Sequence, residues 1–491
     1  MSEVPGSIRV VGAGPGDPGL VTVKGREVIR QADILFHSSD IPYAILSLAP
    51  EGTERKVLKD PCEKDLTLLL GALKRGKKVV LLFKEDPYFS VDGMRIIKEL
   101  VKIGVTSEVI PGLPALTAAP SYAGMLWHGS GSLAHLQFPK EPFSDSIQAE
   151  GIWEGKWGDL VTLIRHWLQR GIDGDTSAAW IDHGTRAEQQ VWTGSLRSLA
   201  DSVHSSSASG VLVIGRMALR QKALAWYESK PLFGRRILVT RSRTQSGDMA
   251  GKIHELGGET VEFPVIRTVP PRNQETFDQA MGQLSDFDWV IFTSVNGVDF
   301  FFQRINQLKL DIRRMVGAKI AAIGPKTAEA LERKGLRVDL QPPEYRAESL
   351  VKVLKPLVRP GEHILLPRAN IARKLLASEL EECGCYVRDV DAYDTLPALE
   401  GVDKVIQMLE RGYLHILTFT SSSTVRYFME MLHKAQPNWK PLLENVQVAC
   451  IGPITADTAT NWGLHVDVIA KTYTIDGLLE ALLQLPPMDR E

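Results

Sequence analysis

The 491-residue sequence is poor in the features that mark several common protein classes. It has four cysteines, Cys62, Cys383, Cys385 and Cys450, too few for a dense disulfide framework, and Cys383-Gly-Cys385 lacks the two-residue spacer of common zinc and redox motifs. No apolar run approaches the roughly 20 residues needed to span a bilayer, and no basic stretch leads into an apolar signal core. A cytoplasmic protein with no membrane partner is the expectation. Charge of one sign is lacking too. The formal net charge is −2 with acids and bases interspersed, which argues against a nucleic-acid partner and against a polybasic membrane anchor. His128, His135, His166 and His183 have no metal-ligand spacing, so no metal is expected. The ligand must be sought in local chemistry.

A single core rarely grows past roughly 250 to 300 residues, so this length allows about three domains. From Ile8 to about Tyr227, short apolar runs (IRVV, KKVVLLF, GDLVTLI, SAAWI, GVLVIG) alternate with stretches of helical period, which is an α/β pattern with the runs as strands. Pro231-Leu232-Phe233-Gly234-Arg235-Arg236 resets the chain before a new strand, giving domains at 1–230 and 236–486. Phe138 to Gly158 has no clean period and reads as a connection between two lobes of the first domain. His204 to Gly210 reads as a solvated loop.

The second half repeats itself. Arg241 and Arg368, and likewise Thr293 and Thr420, stand 127 positions apart; Gly324 and Gly452, and Tyr345 and Tyr473, stand 128 apart. A period this long is domain-sized rather than a solenoid repeat of roughly 20 to 50 residues. Two α/β copies with a ligand cleft is the implied architecture. Each copy carries a Thr-Ser pair at a strand end (Thr293-Ser294, Thr420-Ser421) and a Gly-Pro-x-Thr-Ala loop at Gly324 and Gly452. Hydroxyl caps and Pro in the first turn leave helix N–H groups free for anions such as carboxylates. Ordinary helix capping explains any one loop; four in matched positions point to a site.

In the first half, the strand Ile8 to Val11 runs into Gly12-Ala-Gly-Pro-Gly-Asp-Pro-Gly19, and Thr22 is placed to cap a helix through about Gln31. Gly14-x-Gly16-x-x-Gly19 satisfies the dinucleotide pattern, with Asp40 near the expected distance for a ribose contact. Pro15 and Pro18 each remove an N–H donor that a diphosphate would use, which weighs against an NAD-dependent oxidoreductase.

VVGAGPGDPGLVTVKGREVIRQADIL, VVLLFKEDPYF, VIPGLPALTAAPSYAGM, DHGTRAEQQVWTGSL and GVLVIGRMALRQKALAWY occur in one order across the first domain. Together they resemble the S-adenosylmethionine-dependent tetrapyrrole methylases, specifically uroporphyrinogen-III C-methyltransferase. The resemblance implies a bilobal domain with S-adenosylmethionine between the lobes, bound by Gly14, Pro15, Asp86 and Gly184. Departures stand beside it. Lys84-Glu85-Asp86-Pro87 replaces Gly-Gly-Asp-Pro, Gly112-Leu113-Pro114-Ala115 lacks the usual Ser or Thr, Ile164-Arg165 replaces a Met-Gly after a strand, and Ser38 takes the place of an acid. Two long charged side chains where bare backbone meets the cofactor predict weak binding or none. Methyl transfer is therefore set against a non-catalytic scaffold. A homodimer through this domain is a further expectation.

The half from ILVTR at Ile237 through about Leu485, with its Thr-Ser loops, its Gly-Pro-x-Thr-Ala loops and Tyr393-Asp394-Thr395, resembles uroporphyrinogen-III synthase. The resemblance implies two lobes joined by a two-stranded connector, one from about 236–265 plus 400–486 and the other about 270–390. It further implies cyclisation of the linear tetrapyrrole hydroxymethylbilane, with inversion of the last ring and loss of water, without metal or cofactor. Tyr393 matches the tyrosine proposed as donor to the leaving hydroxyl. Thr293, Ser294, Thr327, Thr420, Ser421 and Thr455 are placed to hold carboxylates. Arg241 and Arg368 would bind carboxylates bidentately or pair with local acids. The alternative from another class is a sensor that recognises an anionic tetrapyrrole without turnover.

Overall fold

A computed structural model describes residues 6–50, 52–58, 63–126, 132–135, 150–202, 209–220, 222–240, 243–372, 374–398 and 401–486. The first strands are β1 (Ser7–Gly12), β2 (Ile34–His37), β3 (Glu54–Val57), β4 (Lys78–Phe83) and β5 (Glu108–Ile110). They form a parallel sheet in the order β3-β2-β4-β1-β5. The run VVLLF in β4 is buried along its length, as a strand covered by helices on both faces requires. A second sheet takes β6 (Ser132–His135), β7 (Gly151–Lys156), β8 (Ser177–Asp182), β9 (Gln190–Ser195) and β10 (Ser209–Ile214) in the order β6-β7-β10-β8-β9. It is mixed, with β7, β10, β8 and β9 antiparallel in succession.

Two expectations fail in this sheet. GDLVTLI is not a strand but lies within the helix Trp157–Gln169, because Trp157, Leu160, Val161, Leu163, Ile164 and Trp167 recur at helical spacing and all are buried. Ile164 and Arg165 therefore lie mid-helix, and the departure assigned to them concerns no loop after a strand. The described end of the supposed connection is also core. Residues 151–155 form most of β7 and are buried without alternation, so an internal strand carried no period to read. Of the expected solvated loop, Ser209 and Gly210 already belong to β10, and 204–208 lie outside the described residues. So do residues 138–149.

The duplicated half contributes β11 (Arg236–Val239), β12 (Glu259–Glu262), β13 (Ile266–Val269), β14 (Trp289–Phe292), β15 (Lys319–Ala322), β16 (His363–Ala369), β17 (Tyr386–Pro397), β18 (Ile416–Phe419), β19 (Gln447–Cys450) and β20 (Val468–Ile469). One parallel sheet runs β12-β11-β18-β19-β20 and the other β13-β17-β16-β14-β15. The two copies have exchanged their first two strands. In one sheet Ile237 lies opposite Ile416; in the other Trp289 lies opposite Ile364, the same pairing displaced by 127 positions. The copies are equivalent in sequence, yet neither sheet is built from one copy alone. β13 pairs antiparallel with the end of β17, Ile266 opposite Pro397.

The chain divides into two compact units, one of Met1–Pro264 with Gly401–Glu491 and the other Val265–Glu400. In the first, the turn at Pro231 to Arg236 is bridged by charge. The side chain of Arg236 meets Glu188 and, at 3.2 Å, Glu259, while Arg186 meets Glu188 at 2.9 Å and Glu259 at 3.3 Å. No helix among the described residues is long and apolar enough to cross a membrane.

Candidate active site

In the unit Val265–Glu400, β14 ends at Thr293-Ser294. Ser294 is in extended conformation and caps the helix Val295–Gln307, its Oγ accepting the Gly297 N–H at 3.0 Å. The Tyr393 hydroxyl lies 3.1 Å from the same Oγ. Tyr393 comes from β17, at a point where the register against β16 slips: Arg368 faces Asp391, but the next residue, Ala369, faces Tyr393. Such a bulge re-aims the side chain that follows it. Tyr393 is 6 % exposed, and its ring stacks on Phe300 at 5.3 Å. Burial pushes its pKa above the ordinary value, against the pull of hydrogen bonds with Ser294 and Asn296. The phenol is therefore a protonated donor at neutral pH. A shift of 127 places Ile266 at the equivalent point of the first copy, so the phenol has no twin.

The loop after β15 places Gly324 before the helix Pro325–Glu332 with no side-chain cap; Pro325 brings no N–H, and the Thr327 N–H donates to the Gly324 carbonyl at 3.1 Å. The unit that holds β18 and β19 repeats the arrangement. Ser421 caps the helix Ser422–Ala435 in a reciprocal box with Thr424, and Gly452 precedes the helix Pro453–Asn461, again with no side-chain cap. The Ser422 hydroxyl donates to the Ile454 carbonyl at 3.1 Å and ties the two helix starts together. β18 and β19 are neighbours, as are β14 and β15, so each sheet presents its two helix N-termini side by side.

Thr293 and Thr420 are partly exposed at these strand ends. Thr327 and Thr455, expected to offer hydroxyls, are 5 % and 6 % exposed and lie buried in the first turns of their helices. Arg368 is corrected. It is 4 % exposed, and its guanidinium grips Asp389 bidentately, Nε donating to Oδ1 at 2.6 Å, which settles its two sequence readings in favour of a local acid. Arg241 lies outside the described residues.

The first domain gathers its four expected cofactor residues around a different arrangement. Gly14 has φ +74° and is bridged to Glu85, whose N–H donates to the Gly14 carbonyl at 2.9 Å. Pro15 is buried beside it. Asp86 accepts the N–H groups of Tyr88 at 2.8 Å and Gly112 at 3.0 Å. A Cβ on Gly184 would stand 2.4 Å from that of Ala119, so the glycine permits close packing on the helix Ala115–Tyr122. Glu85 itself is 5 % exposed and held at φ +57°, a region that costs a non-glycine residue about 1–2 kcal/mol. Its Oε2 accepts the N–H of Ala115 at 2.9 Å, at the start of a helix whose N-cap, Pro114, supplies no side-chain cap. Lys84 stands 3.4 Å from Glu85 and 3.9 Å from Glu154. Burial opposes the Lys84 charge, yet Glu85 and Glu154 hold its pKa above the ordinary value. Burial, then the Glu85 charge, pushes Glu154 up to about 9. A neutral cluster results, with one cation, one anion and one protonated carboxyl. In the glycine loop, Asp17 turns its own carboxylate onto the Gly19 N–H at 2.7 Å and the Tyr122 hydroxyl at 2.8 Å, which fills the place a diphosphate would need.

Sequence reasoning did not find Glu154, Asn296 or Phe300. A lone acid between apolar residues in GIWEGK was the available signal for Glu154. The helix period from Ser294 was the signal for Phe300.

Two family models match the chain: Tetrapyrrole (Corrin/Porphyrin) Methylases over residues 7–200, and Uroporphyrinogen-III synthase HemD over residues 247–480. The chain is similar to the porphyrin biosynthesis protein HemD of Ruminiclostridium josui, 30% identical with 98% of each protein covered. It is also similar to the uroporphyrinogen-III synthase of Synechococcus elongatus, 34% identical over 52% of this chain and 97% of that protein. A solved structure of uroporphyrin-III C-methyl transferase from Thermus thermophilus complexed with S-adenyl homocysteine is 21% identical, covering 44% of this chain and 94% of that one with a TM-score of 0.38.

Proposed function

Because the chain belongs to the family of the porphyrin biosynthesis protein HemD and joins a tetrapyrrole methylase domain to a uroporphyrinogen-III synthase domain, we propose that its duplicated half closes hydroxymethylbilane to uroporphyrinogen III with inversion of the last ring. The observation that carries this reading is the buried Tyr393 hydroxyl on Ser294, at a helix N-terminus whose counterpart recurs in the other sheet. The substrate bears eight carboxylates, and each unit by itself offers hydroxyls at helix starts that can grip such groups without a lysine-rich pocket, Thr293 and Ser294 in one and Thr420 and Ser421 in the other. Tyr393 donates to the departing hydroxyl, which leaves as water. A phenol is a mild acid, sufficient because the bilane loses hydroxide readily once a donor assists. This half uses no cofactor.

S-adenosylmethionine is the group the methylase resemblance implies for the first domain, and the residues present do not fit it. The Ala115 N–H is taken by Glu85, and Lys84 stands 3.4 Å from that carboxylate and 3.9 Å from Glu154, which sets charged side chains where the resemblance implies bare backbone. We therefore assign no methyl transfer to this domain. The reading includes a homodimer through the first domain, supported by its exposed Leu126, Leu219 and Trp226, and a cytoplasmic location, supported by the free thiols of Cys383, Cys385 and Cys450. Sedimentation of the full chain tests the former.

The test of function is turnover. Full-length protein given hydroxymethylbilane should yield the type III isomer with no added cofactor. The type I isomer that forms spontaneously, as sole product, would leave an anionic-tetrapyrrole sensor as the reading.

A further inference from the structure

One pair of repeat anchors has no part in the site so far: Tyr345 and Tyr473, 128 positions apart. Both are large aromatic side chains left in solvent, 62 % and 67 % exposed, at equivalent places in the two units. Exposed positions are free to change, and most of the helical surface around the anchors has diverged between the copies; an exposed ring in both is unexpected on packing grounds alone. Each ring lies on the glycine of a Gly-Pro turn. A Cβ on Gly324 would stand 3.4 Å from Tyr345 Cβ and 3.5 Å from its Cγ, and one on Gly452 would stand 3.2 Å from Tyr473 Cδ1. Neither glycine is demanded by the backbone, since their φ angles of −161° and −175° are extended and open to any residue. The ring beside each is thus the local reason for a glycine there. The tyrosines are also fixed in place. Each immediately precedes the N-cap of a further helix, Arg346 before Ala347–Leu354 and Thr474 before Ile475–Leu482.

We propose that Tyr345 and Tyr473 are substrate-positioning residues, each within its own unit offering its ring as a platform on which a pyrrole ring stacks. This rests on the synthase reading and extends it, because the carboxylate-binding turns hold the periphery of the substrate and say nothing of its rings. Pyrrole is an electron-rich, flat heterocycle with an N–H at its edge. A tyrosine ring meets it in offset or edge-to-face contact without needing a charge.

The test replaces the ring and then only its hydroxyl. Tyr345→Ala and Tyr473→Ala should each raise KM for hydroxymethylbilane about three- to tenfold with a smaller change in kcat, whereas the Phe variants should match the wild type. Thermal midpoints should hardly move, since exposed rings contribute little to the core. Binding of uroporphyrin III, followed by quenching of tryptophan fluorescence, is read on the same proteins. A wild type that makes no type III isomer would sink the activity assignment, while the binding arm would still decide the tyrosines. Weaker binding in the Ala variants upholds the platforms; KM and affinity within twofold of wild type in both Ala variants overturns them.

Discussion

In the first domain the loop after β4 is Lys84-Glu85-Asp86-Pro87, and its side chains turn inward to form a cluster with Glu154 and to cap the helix Ala115–Tyr122. In the duplicated half, the loops after β14, β15, β18 and β19 are Thr-Ser or Gly-Pro, which add at most a hydroxyl to the helix starts they precede. Both regions are parallel α/β sheets with helices rising from strand ends, and that architecture makes an anion or cofactor site almost by default. The difference lies in what occupies the N–H groups. In the first domain a carboxylate of the protein accepts the Ala115 N–H, whereas a serine cap or a glycine precedes the corresponding helices of the duplicated half. The first arrangement carries a conformational cost at Glu85, whose positive φ is compensated by the Ala115 N–H and by Lys84.

The comparison breaks most readily at the phenol. Tyr393→Phe should lower kcat about a hundredfold with binding of product nearly unchanged, because a donor to the leaving hydroxyl acts only in the transition state. Unaltered turnover would make Tyr393 a packing residue on Phe300. A smaller effect, of opposite sign, is expected in the first domain. The double replacement Lys84→Gly and Glu85→Gly frees the Ala115 N–H and relieves the positive φ, and should raise affinity for S-adenosylhomocysteine by about tenfold or more in calorimetry. No gain would mean that residues other than this loop close the cleft.

The smallest effect concerns the shared proton. The Glu154 carboxyl titrates at about 9 in the fold against an ordinary value near 4.5, so the folded state holds a proton the unfolded chain releases. Its contribution to stability is complete below about pH 4.5 and is lost progressively as pH rises toward about 9. Glu154→Gln keeps the neutral form permanently. Its melting temperature relative to wild type should therefore climb between about pH 5 and about pH 9, by a few degrees in all. A difference independent of pH would show that Glu154 is ionised in the fold.

Much of the open region was legible as sequence. The Thr-Ser and Gly-Pro loops, their spacing and Tyr393 could be read because capping depends on the residue at one position and the chain repeats it. The exchange of β11, β12 with β16, β17 was implied by family resemblance alone, since equal copies look the same whichever sheet their strands join. The closed region was harder. Lys84 and Glu85 were visible as charges out of place, but their third partner, Glu154, lies in a strand buried without alternation. The helix Trp157–Gln169 was hidden for a related reason, its β-branched residues reading as a strand while its tryptophans supplied the helical face. Arg368 shows a further limit: its two sequence readings were equal until Asp389 was seen against it.

The measurement that tests the contrast most directly is product analysis on the full-length protein given hydroxymethylbilane together with methyl-labelled S-adenosylmethionine. Uroporphyrinogen III bearing no label is the predicted product, with the duplicated half active and the first domain silent. Labelled, methylated tetrapyrrole would contradict the reading of the first domain, and type I isomer alone would contradict that of the duplicated half.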